Sequence, residues 1–178
     1  MRNLTAAMIA IALAACATAP KSPSGRQELV QSANATVQQM VRKDPSLQDT
    51  LNRSAGYAVF PSIGKGGFIA GAAHGKGVLY EHGQPVGFVS LSQGSVGAQV
   101  GAQTYTELIV FADPARVQQV KGGKFQLGGN ASAVVLTAGA AASTGFTNGV
   151  AVFVQPRGGV MAELSVSGQQ INFTPISG

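Results

Sequence analysis

From Gly56 onward the apolar residues recur at every second position, and glycine fills much of the space between them. The clearest run has Val96, Ala98, Val100 and Ala102 alternating with Gly97, Gln99, Gly101 and Gln103. A period of two places alternate side chains on opposite faces of a pleated strand, and a helix cannot gather them into one stripe. Tyr57-Ala-Val-Phe60 reads as a short strand stopped by Pro61, because proline lacks a ladder donor. Residues 66–80 read as two strands or one bent strand, broken at Gly75-Lys76-Gly77. Glu81-His82-Gly83-Gln84 is a turn signal, and a strand follows over 85–91. Thr106-Glu-Leu-Ile-Val-Phe111 is strongly strand-forming. Further strands are expected around Phe125, at 150–154, at 160–166 beyond a Pro156-Arg157-Gly158-Gly159 turn, and at 171–173. Residues 131–146 are ambiguous between small-residue strands and a loop. With 24 glycines and no tryptophan, the composition favours short strands and tight turns. The expected fold is α+β and mainly antiparallel β: about nine short strands in a curved sheet, barrel or sandwich, preceded by one or two N-terminal helices.

The helical signal precedes the strands. Leu29, Val30, Ala33, Val37, Met40 and Val41 lie at three- and four-residue spacing and form one apolar stripe, with Gln27, Gln31, Asn34 and Gln38 opposite. Asp44-Pro45 ends this helix, and Asp44 can cap a short second one running towards Arg53. Asp113-Pro114 opens another helix of one or two turns, with Val117 and Val120 on one side.

The first sixteen residues have the layout of an export signal. Arg2 supplies a positive start, residues 6–14 are apolar or small, and Leu13-Ala14-Ala15-Cys16 follows. That last run matches the bacterial lipobox. The match implies cleavage before Cys16 and acylation of its thiol, including palmitate-type chains. Cys16 is the single cysteine among 178 residues, so no disulfide can form within the chain. The expected organisation is a signal peptide at 1–15, a lipidated Cys16 with a flexible linker at 16–25, and one domain at 26–178. Within the domain, helices occupy 26–54 and a β-rich body 55–178. The chain is then exported and lipid-anchored. Ala17 after the cysteine, by analogy with lipoprotein sorting, points to the outer membrane, facing the periplasm or the cell surface.

Catalytic patterns are missing. His74 and His82 are the only histidines, with no set of three or four metal ligands around them. Gly-Ala-Ala-His-Gly-Lys-Gly at 71–77 is one residue short of a phosphate loop and lacks its final hydroxyl. Gln93-Gly94-Ser95-Val96-Gly97 lacks the first glycine of a nucleophile elbow. Of the seven acidic residues, Glu107 and Glu163 are the best acid–base candidates. Each lies within a strand and reads better as a sheet-face or partly buried polar group. No catalytic residue, metal site or cofactor is expected. The net charge of +5 and pI near 9.7 suit an anionic surface. Lysines and arginines are nevertheless dispersed, without the basic stripe and exposed aromatics of a nucleic-acid binder.

Several motifs in order resemble the SYLF family. They are Ala55-Gly-Tyr-Ala-Val-Phe60, Lys65-Gly-Gly-Phe68, Gly75-Lys-Gly-Val-Leu79, Gly97-Ala-Gln-Val-Gly-Ala-Gln103, Glu107 before Leu108-Ile-Val-Phe111, Leu127-Gly-Gly-Asn130, and Gly159-Val-Met-Ala-Glu-Leu-Ser-Val-Ser-Gly168. The resemblance implies a membrane-lipid-binding module. Eukaryotic members bind phosphoinositides with the help of an amphipathic segment, and some associate with actin. For an exported bacterial chain, the part that carries over is engagement of anionic phospholipids. Lys65 and Lys76 are the first choices for head-group contact, joined by Arg42 and Lys43 at the end of the leading helix. The glutamine-rich polar face of that helix departs from membrane-surface helices, which carry lysine and arginine there. It is expected to pack on its own sheet. The alternative function is a structural or protein-partner-binding envelope lipoprotein without specific lipid recognition.

Overall fold

The computed structural model describes residues 18–66, 70–96, 103–128, 132–158 and 168–176. The signal segment, Cys16, Glu163 and the strand expected at 160–166 lie outside the described residues. In chain order the elements are α1 (Pro23–Lys43), α2 (Ser46–Arg53), β1 (Gly56–Gly66), β2 (Ala70–Glu81), β3 (Gln84–Val96), β4 (Gln103–Phe111), α3 (Pro114–Lys121), β5 (Phe125–Gln126), β6 (Ala133–Val135), α4 (Ala140–Ser143), β7 (Val150–Gly158) and β8 (Gln170–Pro175). The eight strands among the described residues form one sheet in the order β5-β8-β3-β2-β1-β4-β7-β6. All its pairings are antiparallel except β6 with β7. The fold is therefore the expected α+β, a curled and mostly antiparallel sheet with helices at its N-terminus.

Local chemistry sets the helix ends. Ser22 Oγ accepts the Gly25 N–H at 3.1 Å, and Pro23 occupies the first turn. Helix α1 consequently takes in 23–25, which composition alone assigns to the linker. Asp113 caps α3 in the same way, accepting the Arg116 N–H at 3.0 Å. The β2–β3 hairpin turns through His82 and Gly83, whose φ values of 51° and 76° give the left-handed pair that a two-residue hairpin loop needs.

Two prolines behave differently from expectation. Strand β1 does not stop at Pro61 but runs on to Gly66, with register shifts against both neighbours at this point. The bulge excuses Pro61 from donating, and its carbonyl accepts from Thr106 Oγ1 at 3.0 Å and Arg157 Nη1 at 2.8 Å. Strand β7 likewise runs through Pro156-Arg157 to Gly158, with a register shift opposite Thr104 and Tyr105. The ambiguous stretch at 131–146 contains the short parallel strand β6 and the single turn α4.

The sheet buries both faces. On one face all six residues of the α1 stripe join Leu47 and Leu51 of α2 against Val59, Val78, Tyr80, Phe88, Leu108, Val110 and Phe153. The Tyr80 hydroxyl also donates to Asn34 Oδ1 at 2.7 Å. The other face lines the inside of the curl with Phe60, Ile63, Leu79, Leu91, Ile109, Phe111 and Ile171. Helix α3 contributes Val117 and Val120 to that interior and touches β1, β4, β5 and β8, so it plugs one side of the curl. Gly77 shows how tightly the strands meet. A Cβ there would stand 2.1 Å from the Val59 carbonyl oxygen, so the position admits no side chain without moving backbone.

Candidate functional site

The basic residues singled out by sequence fall into two groups. Lys65 lies on β1 opposite Ala73 and Gln103, and Lys76 lies on β2 opposite Ser62 and Ser90. The adjacent strands place them three rungs apart, about 10 Å along the sheet. Lys76 is half-buried within a continuous strand, not on a turn. Its flanking glycines serve strand contact, since a Cβ on Gly75 would meet Ile63 at 2.6 Å and one on Gly77 would meet Val59. Arg42 and Lys43 stand apart from this pair, exposed in the last turn of α1, where cations complement the helix dipole. Lys121, which the sequence did not single out, pairs with Glu81.

The interior of the curl holds a polar cluster. Alternation along β4 turns Tyr105 and Glu107 to the same inner face as Ile109 and Phe111, and all four are fully buried. Gln169, also fully buried, precedes β8 and donates from Nε2 to Glu107 Oε2 at 3.0 Å. The Tyr105 hydroxyl, Glu107 Oε1 and Gln169 Oε1 have no partner among the described residues. Burial pushes the Glu107 carboxyl up to about 8, against a smaller downward pull from the Gln169 hydrogen bond. Burial, then the neighbouring Glu107, raises Tyr105 above the ordinary tyrosine range. Near neutral pH the carboxyl is largely protonated, so it can donate as well as accept a hydrogen bond. Sequence placed Glu107 on a strand as a partly buried polar group, but the structure encloses it completely. Gln169 gave no sequence signal, because a glutamine after a glycine reads as an ordinary turn residue.

His74 is exposed on β2 and His82 sits in the hairpin turn. Among the described residues no three His, Cys, Asp or Glu side chains come together as a metal site would require. No helix among them is long and apolar enough to cross a membrane.

The family model for Ysc84, described as "Las17-binding protein actin regulator", matches residues 92–174. This stretch, just under half of the chain, is similar to a Ysc84 (SYLF) domain. No match to a curated protein accompanies this one. The matched stretch runs from within β3 into β8 and contains Glu107, Gln169, α3 and the strands β5 and β6 at the two ends of the described order. β1 and β2 belong to the same sheet, so the matched stretch and the strands before it share one core. SYLF domains are binding domains with lipid- or actin-related roles, and the family is not an enzyme family.

Proposed function

We propose that this chain is a lipid-anchored envelope protein of a bacterium whose SYLF domain engages anionic phospholipid surfaces. The observation that carries the reading is a stretch similar to a SYLF domain placed behind a lipobox, with the cysteine of that lipobox the only one in the chain. Cys16 supplies the anchor. Metabolic labelling with a palmitate analogue is expected to mark the wild-type chain and leave Cys16→Ser unmarked, with the variant released from the membrane fraction. Equal labelling of both would remove the anchor from this account.

Lys65 and Lys76, with Arg42 and Lys43 in support, are assigned to head-group contact. Each lysine or arginine at an anionic bilayer contributes about 1 kcal/mol, and the attraction fades within a Debye length. Four such residues give weak binding on their own. An acyl anchor keeps the domain at high effective concentration, so a weak contact suffices to orient it. The test uses the full chain carrying Cys16→Ser, floated with phosphatidylglycerol-containing or purely phosphatidylcholine vesicles. Salt-sensitive binding to the anionic vesicles is expected, falling roughly thirtyfold in Lys65→Ala with Lys76→Ala, the loss of two such contacts. A wild-type chain that ignores both vesicles at low salt would refute the lipid reading.

A second reading is supported by the family description itself, which names a protein partner. It makes the domain a docking module for another envelope protein. Salt-insensitive capture of one such protein, without vesicle binding, would favour it.

A further inference from the structure

β5 and β6 are the two ends of the strand order, yet the curl brings both to the wall of one cleft of about 320 Å³. Part of its lining is apolar and continuous with the inside of the curl, since Phe125, Leu127, Val150 and Val152 belong both to the cleft and to the interior core, while Gln126, Ser132, Thr144, Thr147 and Asn148 supply polar wall. Arg116 reaches the cleft from α3. Its Nη1 donates to Gln119 Oε1 at 3.1 Å, and its backbone N–H is held by Asp113 Oδ1. The guanidinium forms no ion pair among the described residues and no aspartate or glutamate lines the cleft, although Asp113 Oδ2 and Arg116 Nε both stand within 3.3 Å of where a Cβ on Gly149 would be. Two exposed apolar residues neighbour lining residues in the chain. Phe146, 42 % exposed, lies between the lining residues Gly145 and Thr147, and Val135, 50 % exposed, follows the lining residue Val134.

An apolar floor and a guanidinium that forms no ion pair among the described residues complement a molecule that is apolar along its length and anionic at one end. We propose that the cleft binds a single-chain amphiphile of the fatty-acid class, with its alkyl chain over Phe125, Leu127, Val150 and Val152 and its carboxylate at Arg116. The volume lies near the lower end of small-molecule sites, about 300–1,000 Å³, which suits one chain better than a two-chain phospholipid. An added peptide strand is the weaker fit, because β5 has two residues and β6 three, leaving few ladder groups to pair with. This site is separate from the lysines assigned to the bilayer surface, none of which lines the cleft.

The experiment titrates the full chain carrying Cys16→Ser with dodecanoate, dodecanol and dodecyltrimethylammonium below their micelle concentrations, read by calorimetry. Dodecanoate is expected to bind one to one, with the cationic amphiphile weaker by about tenfold or more, the worth of one charge-assisted contact. Arg116→Gln should weaken dodecanoate about tenfold and leave dodecanol unchanged, because only the charged contact is lost. Ser132→Trp, at an exposed lining position, should fill the cleft and weaken both ligands. Melting temperatures of the two variants close to wild type would show that each still folds. Lys65→Ala with Lys76→Ala should bind dodecanoate as the wild type does, which separates this site from the vesicle-binding surface. Three results would each overturn the proposal: no dodecanoate binding by the wild type, undiminished binding in Ser132→Trp, or loss of binding in the double lysine variant.

Discussion

Replacing Asp44 with alanine is expected to cost roughly 3 kcal/mol of folding stability, the scale for removing a buried charged group whose partners stay buried. Asp44 is fully buried where α1 passes into α2. Its Oδ1 accepts from the Ser46 N–H at 3.1 Å, the Ser46 hydroxyl at 2.6 Å and the Gly139 N–H at 3.1 Å, and Oδ2 accepts from the Ala141 N–H at 2.7 Å. Ser46 Oγ in turn accepts from Ala142 N–H at 3.0 Å. One carboxylate thus caps α2 locally and α4 across 97 residues of sequence. Alanine would leave these donors without an acceptor. Asparagine would keep the volume but turn one donor against another, and should recover only part of the loss. Burial alone pushes the Asp44 carboxyl up, but the hydrogen bonds from Ala141, Ser46 and Gly139 outweigh it and hold the group below its ordinary 3.8. A depressed folded value contributes stability above 3.8 that disappears as pH falls through the folded value. Urea titrations between pH 2 and 6 should therefore show a steep acid limb in the wild type and a shallower one in Asp44→Ala. Midpoints that agree at pH 6, or acid limbs of equal slope, would contradict this role.

What the sequence made legible was chemistry that acts over a few residues. The stripe from Leu29 to Val41, the Asp113-Pro114 cap and the His82-Gly83 turn each carry their structural instruction locally, and each forms as read. Pro61 and Pro156 were misread because their tolerance depends on the partner strands, where register shifts excuse the missing N–H and, at Pro61, the distant donors Arg157 and Thr106 satisfy the carbonyl. The short pieces β6 and α4 were opaque for the same reason. β6 is held by β7, and α4 by a carboxylate near the other end of the chain. The basic candidates were legible as residues but not as a surface. Gly75 and Gly77 resembled a turn around Lys76, whereas they let β1 and β2 approach closely. Arg116 gave no motif at all, because its cleft exists only once the two ends of the sheet are brought together.

Glu107 should make this protein less stable as pH rises from about 5 to 8, with Glu107→Gln largely abolishing that dependence. The carboxyl is fully buried and has its proton affinity raised from 4.5 to about 8, chiefly by burial, with the Gln169 hydrogen bond pulling the other way. In the unfolded chain the group gives up its proton near 4.5, while in the folded chain it holds the proton until about 8. Between those values the folded state binds more protons than the unfolded one, so stability falls as pH rises and levels off above the folded value. The limiting slope is about 1.4 kcal/mol per pH unit, which amounts to roughly 4 kcal/mol across the window. Glutamine has nearly the same shape and no charge to desolvate. At pH 5 the variant should lie within about 1 kcal/mol of wild type, since replacing one neutral hydrogen-bonding group by another of similar shape costs little. At pH 8.5 it should be the more stable protein by roughly 3 kcal/mol, the desolvation penalty that the ionised carboxylate bears and the carboxamide does not. Urea unfolding at pH 5, 6, 7 and 8.5 measures both curves directly. If the two chains lose stability in parallel over that range, Glu107 ionises in the folded protein near its ordinary value, and the polar cluster with Tyr105 and Gln169 must be open to water.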